Sequence, residues 1–259
     1  MLFTDQTGRI IILPSTPQRI ISLVPSQTEL LAYLGLSEQV AGITKFCIHP
    51  SEWFHSKTRI GGTKQLKMEL IHQLRPDLII ANKEENVKEQ VEELANHYPT
   101  WVSDVNNPED AFSMIYSVGK MTGKENEAAI LINNIRKEFG LLSPSSKKLR
   151  TAYLIWRNPY MTIGGDTFIH SMLQAAGFEN MYGHATRYPE VTIDELKNAG
   201  CERLLLSSEP FPFNQKHIDE LQPLLPDTKI VLVDGEMFSW YGSRLLLAPK
   251  YFLRLFEHG

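Results

Sequence analysis

Eight aromatic side chains, Phe46, Trp53, Trp156, Tyr160, Tyr188, Phe238, Trp240 and Tyr241, fall where apolar runs end or in the loops that follow them. Rings at such positions offer rigid apolar area at low conformational-entropy cost, which suits a large flat or macrocyclic ligand. Loop packing accounts for any one of them alone; Trp156 and Trp240 are the best candidates for ligand contact and Trp53 the poorest. Arg157, Arg187 and Arg244 are fork donors able to hold carboxylates or phosphate of an anionic chelate, with plain solvation as the alternative. Catalytic signatures are missing: there is no GxSxG elbow, no P-loop and no GxGxxG after a strand. The eight histidines are scattered without an HxxH or HExxH pair, so no intrinsic metal or cofactor is expected.

Those rings need elements to hold them, and the chain repeats one. Met68-Glu69-Leu70-Ile71 through Arg75-Pro76-Asp77 to Leu78–Ala81 is a short helix opened by an acid, a turn, and an apolar run of strand length. Ile193-Asp194-Glu195-Leu196 through Ala199-Gly200-Cys201 to Leu204–Ser207 repeats it, with Thr192 and Glu195 forming a capping box. An acid near a helix N-terminus is favoured by the dipole alone. The dipole does not explain why Glu69 and Asp194 occupy matched places in both copies.

Around the repeat, Ile10–Leu13, Arg19–Val24, Val40–Thr44, Thr100–Val105, Arg150–Trp156 and Lys229–Val233 read as strands. Ser26 and Glu29 read as a second capping box, opening a helix that carries Leu30, Leu31 and Leu34 and stops at Gly35. Phe46–Phe54 reads as irregular and Gly61-Gly62 as a turn. Helices are expected over Lys88–Asn96, from Pro108 to about Gly123, over Lys124–Leu142, from Asp166 to Ala176 and over Ser243–Glu257. Lys124–Leu142 would be a rod of roughly 28 Å at ~1.5 Å per residue. Ser143–Lys148 is the most linker-like stretch. Strands alternating with helices predict an α/β fold of parallel sheets with covered faces, and the repeated module predicts two similar lobes.

Bulk properties narrow the function. At 259 residues, 42% hydrophobic and 22% charged, the chain suits two modest lobes. A net charge of −4 argues against nucleic-acid binding, which needs clustered basic charge. Cys47 and Cys201 fall in opposite halves outside any ligand spacing and are expected as free thiols. No run reaches the ~18 apolar residues of a membrane helix. Met1–Arg9 has no basic, apolar and small-residue leader pattern, which leaves cytoplasmic residence and a missing leader both open.

Taken in order, Arg19–Leu30, Ile60-Gly61-Gly62, Glu69–Ile79 with its Arg75-Pro76-Asp77-Leu78-Ile79, and Val191–Leu196 resemble the helical-backbone (class III) periplasmic binding proteins, from Arg19 to about Phe256. These are the substrate-binding subunits of ABC importers for cobalamin, iron–siderophore complexes and haem. The resemblance implies two Rossmann-like lobes, 1–123 and 143–259, joined by one long backbone helix, 124–142. It implies ligand contacts at Phe46, Tyr188, the Tyr160–Met161 turn and the loop from Glu236 through Phe238 to Trp240, beside Trp156, Tyr241 and Arg244. Thr63 and Asn82 stand where cobalamin-binding members carry tryptophan. Glu69 and Asp194 fall on the two acidic knobs that seat on the permease. The implied protein is a monomer of the periplasm or cell envelope that binds a corrinoid or ferric chelate and docks on an ABC permease dimer with its ATPase. A cytoplasmic protein of this fold that carries or modifies a corrinoid or other tetrapyrrole is the alternative.

Overall fold

A computed structural model of the chain describes residues 1–142 and 148–258; all of the expected linker except Lys148 lies outside the described residues. The chain forms two compact units. One comprises Met1–Val105, Glu109–Asn134 and Tyr241–Arg244, and the other Asn106–Pro108, Ile135–Trp240 and Leu245–Gly259.

The first unit begins with an antiparallel hairpin of β1 (Leu2–Thr4) and β2 (Ile10–Ile12). Then come β3 (Ile20–Ser22), α1 (Pro25–Tyr33), β4 (Val40–Ile43), α2 (Ser51–Ser56) and β5 (Thr58–Arg59). A small antiparallel pair, β6 (Gly61–Gly62) and β7 (Gln65–Leu66), precedes α3 (Met68–Leu74), β8 (Leu78–Asn82), α4 (Lys88–Ala95) and β9 (Thr100–Ser103). Helices α5 (Pro108–Met121) and α6 (Glu125–Phe139) follow, and the division between units falls inside α6, after Asn134. The main sheet is parallel in the order β5-β4-β3-β8-β9. β3 and β8 are wholly buried, which is why they read as unbroken apolar runs rather than alternating ones.

The second unit contains β10 (Leu149–Leu154), α7 (Phe168–Ala175), β11 (Phe178–Asn180), α8 (Ile193–Asn198), β12 (Arg203–Ser207), α9 (Gln215–Leu221), β13 (Lys229–Val233), α10 (Glu236–Ser239) and α11 (Ala248–His258). Its sheet is parallel in the order β11-β10-β12-β13. Leu154, Leu196, Leu204, Leu206, Leu221 and Ile230 form part of its core. Numbering each unit's main strands by appearance, β3-β4-β8-β9 and β10-β11-β12-β13 both wind second-first-third-fourth. The repeated helix–turn–strand module is α3–β8 in one unit and α8–β12 in the other, and each time its strand is internal to the sheet. The repeat read from the sequence is thus part of a longer shared winding.

Several local expectations are corrected. Pro25 occupies the first helical position of α1, so Ser26 already lies inside the helix and cannot cap it; no side chain does. Glu29 turns instead to Arg244. The Phe46–Phe54 stretch runs into α2, and Gly61-Gly62 is a strand rather than a turn. Helix α6 ends at Phe139, short of Leu142, and α7 starts after its cap Thr167 rather than at Asp166. By contrast, Thr192 and Glu195 form both hydrogen bonds of the capping box on α8. Both cysteines are free and buried. Burial pushes each thiol above its ordinary range. No helix among the described residues is long and apolar enough to cross a membrane.

Candidate functional site

In sheets wound this way, ligands lie beyond the carboxyl ends of the strands, where the winding reverses. That point falls between β3 and β8 in the first unit and between β10 and β12 in the second.

The first unit's rim is built from amides and hydroxyls. Asn82, at the end of β8, accepts the backbone N–H groups of Glu84 and Glu85 at 2.8 and 3.0 Å and donates to Ser103 Oγ at 3.0 Å. Gln27 Nε2 donates to the same hydroxyl at 2.5 Å. Asn86 accepts the Asn82 N–H at 2.8 Å and donates to the carbonyls of Leu23 and Thr63, each at 3.2 Å. Asn82 is therefore a buried clamp on the 82–86 loop. The loop presents Glu85, which accepts from Tyr241 Oη at 2.9 Å. Arg244 forks onto Glu29 through two contacts of 3.1 and 2.7 Å, so its charge is matched within this unit. Phe46 stands apart. It follows β4, is 51% exposed, and has Lys45 Nζ 5.0 Å from its ring centre. Trp53 is buried in α2.

The second unit's rim is aromatic. Three extended segments are knitted by backbone bonds: Met161 N–H to Trp156 O at 3.2 Å, Val191 N–H to Tyr160 O at 2.9 Å, and Gly164 N–H to Arg187 O at 2.7 Å. They bring Trp156, Tyr160, Met161 and Tyr188 onto one frame, as the ladder partners of Met161 also show. The N–H of Phe211 bonds to Ile155 O at 3.2 Å, which sets its ring edge-on to Trp156 at 5.8 Å. Phe213 and His217 continue the cluster behind Phe211. Trp156 is 41% exposed, the largest ring on this rim open to solvent. Arg187 lies over Tyr188 at 5.4 Å, and Arg157 pairs with Glu220 at 2.7 Å.

Phe238 has no exposed surface and packs among Tyr153, Tyr251 and Phe252, which corrects its expected place at the ligand: it is a core residue. Trp240 and Tyr241 are buried too, each with 6% of its surface exposed, and Trp240 donates its indole N–H to Glu209 Oε1 at 3.0 Å. Burial is the main cause that raises the Glu209 carboxyl above its ordinary range, with Glu236 and Asp234 adding repulsion. Glu209 and Phe211 were not singled out from the sequence, although both follow β12 at the sheet's carboxyl edge. That position is the signal that could have found them.

Glu69 and Asp194 lie in the first turns of α3 and α8, both exposed. Neither carboxylate has an ion pair or side-chain hydrogen bond among the described residues. Among the described residues no group of three His, Cys, Asp or Glu side chains is placed to hold a metal ion.

Residues 20–222 match the family described as periplasmic binding protein. The chain belongs to that family. Within it, the protein is similar to the vitamin B12-binding protein of Pectobacterium carotovorum, at 24% identity over 90% of this chain and 86% of that one. It is also 24% identical, over 73% of this chain and 63% of the other, to an uncharacterized ABC transporter substrate-binding lipoprotein of Bacillus subtilis. Its fold matches the periplasmic heme-binding protein RhuT of Roseiflexus sp. RS-1, with a TM-score of 0.80, 20% identity, and 93% of this chain and 98% of that chain covered. These relatives are binding proteins, which favours the ligand-capture expectation over a protein that modifies a tetrapyrrole.

Proposed function

We propose that this chain is the ligand-capture subunit of an ABC importer of the cell envelope, binding a bulky metal complex, a cobalt corrinoid or a ferric chelate, without catalysis. The observation that carries the proposal is the aromatic rim of the second unit: Trp156, Phe211, Tyr160 and Tyr188 lie at the carboxyl edge, where such folds take ligands. Phe46 adds an exposed ring at the matching edge of the first unit. In this reading, residues 124–142 are the backbone joining lobes 1–123 and 143–259, and the protein acts as a monomer. Glu69 and Asp194 are the knobs presented to the permease dimer that works with its ATPase.

Ligand capture is tested by adding cyanocobalamin or a ferric chelate to the purified protein and following tryptophan emission and melting temperature. Quenching is expected, together with stabilisation of about 2.7 kcal/mol at 100-fold excess over Kd. No response to either ligand class would sink the proposal. Docking is tested by Glu69→Lys combined with Asp194→Lys. The double reversal should abolish permease association through like-charge contact while leaving ligand affinity unchanged.

A further inference from the structure

Each unit sets a cation over an exposed aromatic residue at the carboxyl edge of its sheet. In the first unit the pair is Lys45 and Phe46, just past the end of β4, the strand beside β3. Lys45 Nζ lies 5.0 Å from the ring centre, and both residues are exposed. The turn that carries them is tied from beneath. Thr28 Oγ1 and Thr44 Oγ1 each lie 3.1 Å from the buried Cys47 Sγ, and the Phe46 N–H donates to Thr44 Oγ1 at 3.3 Å. The Lys45 N–H donates to Gly61 O at 2.7 Å. A Cβ at Gly62 would come within 3.1 Å of Phe46 Cε2 and 3.2 Å of Lys45 Cε, so bare backbone is the floor on which ring and stem lie. Lys45 makes no ion pair among the described residues. The acids of this rim face other groups: Glu29 meets Arg244, and Glu85 accepts from Tyr241 Oη.

In the second unit the pair is Arg187 and Tyr188, on the frame that also carries Trp156 and Tyr160. Arg187 has a φ of 56°, a left-handed conformation uncommon for a residue with a side chain. Its N–H donates to Asp166 Oδ1 at 2.6 Å, and its carbonyl accepts from the Gly164 N–H at 2.7 Å. The guanidinium lies over the Tyr188 ring at 5.4 Å. It also reaches Asn106 Oδ1 at 3.4 Å and Asp166 at 3.9 Å, and its side chain is still 45% exposed. A backbone held in a sparsely populated region at a binding edge points to a functional placement of the side chain.

A ring beside a cation offers a ligand two contacts, an apolar face for a flat group and a donor for an oxyanion on the same periphery. A ring-bearing metal complex fringed with carboxylates or catecholate oxygens can use both, whereas a neutral, amide-fringed corrinoid can use only the first. We infer that Lys45 and Arg187 are specificity-determining residues, selecting metal complexes with an anionic periphery over neutral ones. The inference rests on the ligand-capture reading above.

Calorimetric titrations at pH 7.5 with haemin, a ferric tris(catecholate) and cyanocobalamin give the readout, on the wild type, Lys45→Gln, Arg187→Gln and the double variant. The wild type should bind at least one of the two anions about tenfold or more tightly than cyanocobalamin, and added salt should narrow that gap. Which anion gains more distinguishes carboxylate from catecholate recognition. Each Gln substitution should weaken the favoured anion about fivefold and the pair together about 25-fold, as independent contacts multiply, with cyanocobalamin moving less than about twofold. Lys45→Arg keeps the charge and should hold the anion affinity within about twofold. Both side chains are exposed, so melting temperatures of the variants should match the wild type. A wild type that binds cyanocobalamin as tightly as either anion, or Gln variants that weaken all three ligands alike, overturns the charge selection. Binding of none of the three by the wild type would overturn the ligand-capture reading itself.

Discussion

The two rims share one winding and little chemistry. In the first unit the edge around β3 and β8 is closed by side-chain amides, Asn82, Asn86 and Gln27, each bonded to backbone or to Ser103. In the second the matching edge is rings on a backbone frame, backed by an acid. Winding fixes where strands end; the loop residues decide what stands there. One edge spends its polar groups on holding itself in shape, while the other leaves its largest ring exposed.

Breaking the amide edge should have the largest effect on stability. Asn86→Ala removes one accepted and two donated hydrogen bonds at a buried site, and urea unfolding should register a loss of about 2–4 kcal/mol. A loss under ~1 kcal/mol would mean that the first rim is not organised by this loop. The aromatic edge should respond the other way round. Trp156→Ala should cost less stability than Asn86→Ala, because 41% of the residue is already exposed, yet weaken corrinoid binding by about 1–3 kcal/mol by calorimetry. Equal losses in both measurements would move Trp156 into the packing of Phe211.

The two helix starts that read alike as capping boxes offer a finer contrast. Thr192→Ala removes a formed capping box and should lower unfolding free energy by about 1 kcal/mol. Ser26→Ala, at the helix start that resembled it in sequence, should change stability by less than ~0.5 kcal/mol or raise it, because that buried hydroxyl has no partner to lose. The smallest effect is visible only against pH. Glu209 titrates above its unfolded value, so its contribution to stability is complete below the ordinary glutamate pKa of about 4.3 and is lost as pH rises through the folded value. The melting temperature of Glu209→Gln relative to wild type should therefore climb between pH 4 and pH 8. A flat difference across that range would mean that the carboxylate is not held in a charge-averse setting.

Much of the frame was legible because burial on both faces writes itself as apolar runs, as in Leu78–Ala81 and Leu204–Leu206. Where one residue type serves two local roles, the sequence was ambiguous. Ser26-Gln27-Thr28-Glu29 has the same pattern as a cap, and only Pro25 in the first helical turn decides otherwise. β11 escaped because three residues, Phe178-Glu179-Asn180, are too few to show a period. At the site, the rings of Trp156, Tyr160 and Tyr188 announced themselves by type. Phe238 did so too, and its burial against Tyr153 and Phe252 could be known only from packing. Glu209 was invisible for the opposite reason: a lone glutamate in a loop looks like a solvated one until its hydrogen-bond partners are known.

The frame under the aromatic rim has one more property. A Cβ at Gly165 would come within 2.1 Å of the Gly183 carbonyl, and one at Gly164 within 2.5 Å of the Ala185 carbonyl. These backbones touch, and no side chain fits between them. Because the ribbon is sewn by peptide groups and kept close by two glycines, the side chains it displays carry none of the stitching. Trp156, Tyr160, Met161 and Tyr188 can therefore be exchanged over generations, one ligand preference for another, without undoing the peptide bonds that sew the ribbon.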